Sequence, residues 1–185
     1  MRNSELTREK ILEAALAEFS AFGIAGARVD RIAEAAGCNK NLIYVYFENK
    51  EALFRTILRK HLAQAYEHIV FTPNDLAGYA EQVFEGSMSQ PHLMRLMAWH
   101  ALEQAGERLE EREASRAAKI EELEASQREG RITDEFPASF LLTALMALST
   151  AWGSAGVFAV LDEAGSIDRA ALRSNVAKAI RKLTA

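Results

Sequence analysis

The stretch that most constrains this chain is residues 29–47, where two amphipathic segments meet across a glycine and an asparagine. Val29, Ile32, Ala33 and Ala36 fall at i, i+3, i+4 and i+7, one face of an α-helix. The pattern stops at Gly37, the residue type best suited to a left-handed helix end. Asn39 then suits the N-cap of a further helix, and KNLIYVYF follows it. Leu42, Ile43, Tyr44, Val45, Tyr46 and Phe47 carry more apolar surface than one small helix can bury. The segment is therefore either a core strand or a helix with one side packed and another exposed. No other part of the sequence supplies a partner strand, and a second cap residue, Asn49, closes the segment. A helix is expected. Ile43 and Phe47, one turn apart, should pack on Val29 and Ile32, with Asn41, Leu42 and Val45 pointing elsewhere. Two helices joined by such a tight turn make a helix-turn-helix candidate.

Helical periodicity continues on both sides. Thr7 is placed to cap a first helix with Ile11, Leu12, Ala15, Leu16 and Phe19 on its inner face, ended by Gly23 and Gly26. A fourth helix is expected from Lys50 to about Val70. Beyond Pro73 the pattern predicts helices over about 74–89, 91–105, 107–129, 137–162 and 167–183, with Pro91 and Pro137 opening two of them. The fold class is therefore all-α, with a helix-turn-helix head at 1–48 and a larger helical body at 49–185. The segment 107–135 is dense in Glu and Arg, with Ile120 and Leu123 its few large apolar residues, and reads as a solvated surface helix. Residues 137–161 carry no charge. A membrane span needs about 20 apolar residues, but three Ser, two Thr and two Gly interrupt this run, and its flanks are acidic rather than basic. A helix apolar all round is otherwise buried all round. One side would face the body and another a second copy of the chain. Trp152, Gly153, Gly156 and Val160 would then meet Leu172, Val176 and Ile180 of the last helix in a four-helix homodimer seam.

Composition excludes several classes. One cysteine leaves no internal disulfide and no cysteine cluster for a metal. The start, MRNSELTREKILEAALAEF, lacks a signal peptide's apolar core, so a cytoplasmic address is expected. His61, His68, His92 and His100 accompany no HExxH, phosphate loop, paired carboxylates or nucleophile elbow, so neither catalysis nor a metal or cofactor is expected. Net charge is −4, yet residues 1–60 hold ten Lys or Arg against eight Asp or Glu, a mildly basic head on an acidic body.

Residues 28–54, RVDRIAEAAGCNKNLIYVYFENKEALF, resemble the DNA-binding head of the tetracycline-repressor (TetR) family. Ile32-Ala33, Ala36-Gly37, Tyr44-x-x-Phe47 and Lys50-Glu51-x-Leu53 stand in that family's register. The stretch ALAEFSAFGIAGARV resembles it too, and REGRITDEFPASF does so more weakly. The resemblance implies a transcriptional regulator that binds double-stranded DNA at a palindromic operator as a homodimer. It also implies release by a small apolar or amphipathic effector held in the body. Arg28, Asn41 and Val45 depart from the family's usual residues at positions where members touch DNA, so the target sequence is expected to be unusual.

The residue types suit that work. In a major groove, Lys40 can donate to guanine O6 or N7, Asn41 can pair with adenine N6 and N7, and Leu42 and Val45 can meet a thymine methyl. The hydroxyls of Tyr44 and Tyr46 suit phosphates, as do Lys50 and Arg28 at helix starts, while Asn39 opens the reading helix. Phe84, Met88, Trp99, His100 and Trp152 are the candidate effector-pocket residues. The alternative is a helical adaptor whose head binds protein, marked by the lack of salt-sensitive duplex binding.

Overall fold

A computed structural model describes residues 2–67, 69–103, 110–153 and 168–185, and among these residues helices and turns account for the fold, with no strand. The helices are α1 (Arg2–Gly26), α2 (Val29–Ala36), α3 (Lys40–Phe47), α4 (Lys50–Glu67) and α5 (Leu76–Ser89). They continue with α6 (Pro91–Glu103), α7 (Glu110–Arg128), α8 (Ala138–Thr150) and α9 (Arg169–Thr184). Two compact units result, Met1–Ala65 with His92–Gly106, and Tyr66–Pro91 with Glu107–Ala185. The helix-turn-helix thus shares its unit with most of α4 and α6.

In the first unit α1 begins at Arg2, so Thr7 lies inside the helix rather than capping it. The reason is tertiary. The Tyr46 hydroxyl of α3 donates to the Ser4 carbonyl at 3.2 Å and lies 3.0 Å from Ser4 Oγ. The Arg8 guanidinium stacks 5.3 Å over the Phe47 ring. These contacts hold an extra turn that an isolated helix end would fray. Gly23 (φ 70°, ψ −174°) then interrupts α1 in a backbone region that only glycine enters easily.

The ends of α2 and α3 follow the local signals. Gly37 is left-handed, its N–H bonds Glu34 O at 3.1 Å, and the Cys38 N–H bonds Ala33 O at 3.0 Å, a Schellman turn. Asn39 Oδ1 accepts the Asn41 N–H at 2.9 Å, and Asn49 Oδ1 accepts the Ala52 N–H at 2.7 Å, so both asparagines cap. Val29, Ile32, Ile43 and Phe47 are buried, as the spacing predicts. Burying Ile43 and Phe47 contributes about 1.5–3 kcal/mol each, which holds α3 in place. Phe19 and Phe54 meet edge to face at 5.3 Å, and the buried His100 ring lies parallel to Phe54 at 6.3 Å. From α6, His92 Nδ1 lies 3.0 Å from Ser20 Oγ, and Glu103 Oε2 accepts the Ala25 N–H at 2.7 Å.

In the second unit α5 packs against α8 and α9. Tyr79, Phe84, Leu123, Leu142, Val176 and Ile180 are among its core residues. The polar helix α7 buries Leu123 and packs Ile120 beside it while most of its charged residues face outward. α8 stops at Thr150 and residues 151–153 turn, so the expected 137–162 helix ends early, while its part from 154 on, with Gly156 and Val160, lies outside the described residues, as does His68. No helix among the described residues is long and apolar enough to cross a membrane. Val176 and Ile180 require a correction. Their spacing assigns them to a seam between copies, but both side chains are buried in this unit's own core, because α5 lies along α9 and covers that face.

Candidate DNA interface

The helix α3 has two faces of different character. Ile43 and Phe47 point inward, Leu42 and Tyr46 are half-buried at the margin, and Lys40, Asn41, Tyr44 and Val45 are exposed. Val45 is 76% and Tyr44 40% exposed, so α3 offers apolar and aromatic surface on the side away from its core face. The outward row therefore combines an amide in the first turn, the part that reaches base edges in a helix-turn-helix, with a phenol and a branched alkyl group one turn further on.

The polar candidates differ in how they are held. Lys40 Nζ lies 2.9 Å from Asp30 Oδ1 and 3.0 Å from Oδ2, and the hydrogen bond to Asp30 raises its pKa above the ordinary lysine value. Asn41 stands exposed, with its N–H used by Asn39. The Asn39 side-chain oxygen accepts the cap bond, which leaves its amide NH2 and the oxygen's second lone pair. Tyr46 is expected on phosphate, but its hydroxyl is bound to Ser4. Lys50 Nζ donates to Ala25 O at 3.4 Å and Ala27 O at 3.3 Å, bracing the α1–α2 turn from the start of α4. Arg28 is exposed, and as the N-cap residue of α2 it forms no side-chain cap. Burial pushes the Cys38 thiol pKa up, in keeping with a packed rather than reactive residue.

The candidate effector residues divide between the units. Trp99 and His100 belong to the first, where the Trp99 ring lies against Gly23 and His100 against Phe54. Phe84, Met88 and Trp152 belong to the second; Phe84 is wholly buried core, Met88 and Trp152 pack beside that core, and Trp152 Nε1 donates to Leu148 O at 2.7 Å. Of the seam candidates, Gly153 is buried beside Ser87, and Leu172 packs half-buried on the core. The outward row of α8 is instead Phe140, Thr143 and Ala147, continued by Ala151 just past its end, all uncharged and exposed.

Three residues of this region escape a reading of the sequence: Asp30, Glu18 and Arg31. Glu18 is 9% exposed and accepts hydrogen bonds from the Arg28 N–H at 2.8 Å, Arg31 Nε at 2.8 Å and Arg31 Nη2 at 2.5 Å. A signal for it exists, since Glu18 falls at i+7 from Ile11 on the apolar stripe of α1. Nothing comparable marks Asp30, whose pairing with Lys40 depends on how α2 and α3 cross.

A family model for bacterial regulatory proteins of the tetR family matches residues 11–57, and one for the tetracyclin repressor-like C-terminal domain matches residues 75–182. The HTH-type transcriptional repressor SCO4008 of Streptomyces coelicolor is 35% identical over 187 residues, covering 98% of this chain and 97% of the relative. The HTH-type transcriptional regulator RutR of Escherichia coli is 47% identical over 55 residues, a match confined to 30% of this chain and 26% of RutR. Among solved structures, SCO4942 from Streptomyces coelicolor superposes with a TM-score of 0.85 at 32% identity, covering 96% of this chain and 98% of that one. A matching head, a matching C-terminal domain and a relative aligned over nearly its whole length lead to one conclusion: the chain belongs to the TetR family of bacterial transcriptional regulators.

Proposed function

We propose that this regulator represses transcription by binding a palindromic operator as a homodimer, and that a small effector releases it. The observation that carries the reading is the outward row of α3, where Asn41, Tyr44 and Val45 remain exposed although Ile43 and Phe47 already satisfy the core. Asn41 reads a base edge, Val45 meets a thymine methyl, and Tyr44, Arg28 and Lys50 engage phosphates. Repression, rather than activation, follows the name carried by the full-length relative SCO4008.

The dimer uses the outward row of α8, Phe140, Thr143 and Ala147, with Ala151 at its end, in place of the α9 stripe that the core consumes. Phe140 is 50% exposed and its ring lies 5.2 Å from Phe136, an apolar patch on an uncharged helix. Two heads so joined cover two half-sites, which makes the operator palindromic. An effector acts only if it binds the DNA-incompetent state better. Met88 and Trp152, beside the second unit's core, are the residues best placed to line its site.

Selection of bound duplexes from a random pool, followed by a salt titration of the winner, tests the reading. A palindromic consensus with affinity falling steeply as salt rises is expected. Failure to retain any duplex at low salt would refute it.

A further inference from the structure

The start of α2 lacks the device that usually secures a helix N-terminus. In a capping box, a hydroxyl at the N-cap accepts from the first turn, and a Glu or Gln at the third helical position reaches back to the N-cap N–H. Here the N-cap is Arg28, without a side-chain cap, and the third helical position is Arg31, a donor where an acceptor is needed. The missing acceptor comes from another helix. Glu18 Oε1, on α1, takes the Arg28 N–H at 2.8 Å and also the Arg31 Nε at 2.8 Å. Arg31 Nη2 adds a bond to Gly26 O at 3.2 Å, and the Phe22 ring lies 4.3 Å beneath the guanidinium.

We infer that Glu18 and Arg31 form a capping box split between two helices, and that they act as positioning residues for DNA binding; the inference rests on the operator-binding reading above. An ordinary box secures α2 to itself. This one also secures α2 to α1, and so fixes where the phosphate-facing Arg28 stands relative to the base-facing row on α3. Burial raises the Glu18 pKa, yet the Arg31 and Arg28 hydrogen bonds outweigh it and the net shift is downward, so the carboxylate stays charged at neutral pH.

The sign of one effect separates positioning from simple electrostatics. Glu18→Leu removes a negative charge from the DNA-binding unit, which by charge alone strengthens binding to every duplex. Positioning predicts the opposite for the operator: specific affinity falls about tenfold, the discrimination carried by one base contact, while affinity for a random-sequence duplex holds or rises. The decisive variant is Glu18→Leu/Arg31→Gln. It removes one charge of each sign and gives α2 the half of a box that lies within the helix, because the amide oxygen introduced at position 31 can reach the Arg28 N–H, but it cuts the tie to α1.

The assay is fluorescence anisotropy with the pool-selected operator and a random duplex, at a temperature where circular dichroism shows each variant folded. The salt slope is measured for both duplexes. The double variant is expected to keep its helix content and its random-duplex salt slope while losing operator preference, and Glu18→Gln, which can still accept both bonds, is expected to recover most of that preference. Hydrogen exchange at the Arg28 amide gives a reading independent of DNA: faster in Glu18→Leu and restored in the double variant. Full operator preference in the double variant would reduce the node to a cap and overturn the positioning role. Unchanged exchange at Arg28 in Glu18→Leu would overturn the capping role itself.

Discussion

Gly23→Ala isolates the junction between α1 and α2, and its cost is worked from the geometry. An L side chain at φ 70°, ψ −174° is strained, because that backbone region is essentially reserved for glycine, and the strain costs about 1–3 kcal/mol. The new Cβ would stand 2.8 Å from Trp99 Cε3 and 2.9 Å from Trp99 Cδ2, and would also collide with Glu103 Oε1. Displacing a packed ring adds about 1–3 kcal/mol of overpacking. Glu103 must also move, which endangers its bond to the Ala25 N–H; being exposed, that bond is worth about 0.5–1.5 kcal/mol. Together these reach about 2.5–7.5 kcal/mol, a large share of the roughly 5–15 kcal/mol that stabilises a typical domain. For a chain of this size each kcal/mol lowers Tm by about 2–4 °C, so thermal unfolding should shift down by at least about 5 °C. Gly26→Ala is the internal control, since its Cβ would meet only Phe22 Cβ at 3.4 Å. Paired melts that agree within about 2 °C, less than 1 kcal/mol on that scale, would refute the reasoning.

Three further outcomes are expected. Asp30→Asn frees Lys40 and removes a negative charge beside the reading helix, so affinity for all duplexes should rise and the salt slope steepen, as read by anisotropy at several salt concentrations. Asn41→Ala should relax preference at one base pair, whereas Lys50→Ala should weaken binding to every sequence, lower the salt slope by about one, and also lower Tm because Lys50 braces Ala25 and Ala27; re-selection from the random pool, salt titration and melting separate the two. Burial, with Lys60 and His92 nearby, lowers the His61 pKa below its ordinary 6.5. The unfolded chain then binds a proton that the folded chain refuses, so stability should fall as pH drops through 6.5 towards the folded value, and His61→Gln should flatten that part of a denaturant-midpoint profile.

The arrangement of the head explains why its polar groups are poor guides when taken one by one. Lys40, Lys50 and Tyr46 each read from the sequence as a DNA ligand, and each is already bonded within the protein. The Lys40–Asp30 pair is exposed, where a single ion pair is worth about 0–1 kcal/mol, so it is readily exchanged. The three sets of bonds fix the conformation of the free head.

What the sequence determined by itself is what depends on neighbours along the chain. The caps at Asn39 and Asn49, the Gly37 helix end and the inward pair Ile43 and Phe47 follow from hydrogen bonds or spacings spanning a few residues, and all are present as expected. The all-α class follows for the same reason. Tertiary structure decided everything that depends on which helix lies beside which. It lengthened α1 past Thr7 through Tyr46, turned the Val176 and Ile180 stripe inward onto a core formed with α5, and gave α2 a cap from Glu18. An apolar stripe or a carboxylate states what it needs, burial or a donor, but not which distant segment provides it, and only the packed chain answers that.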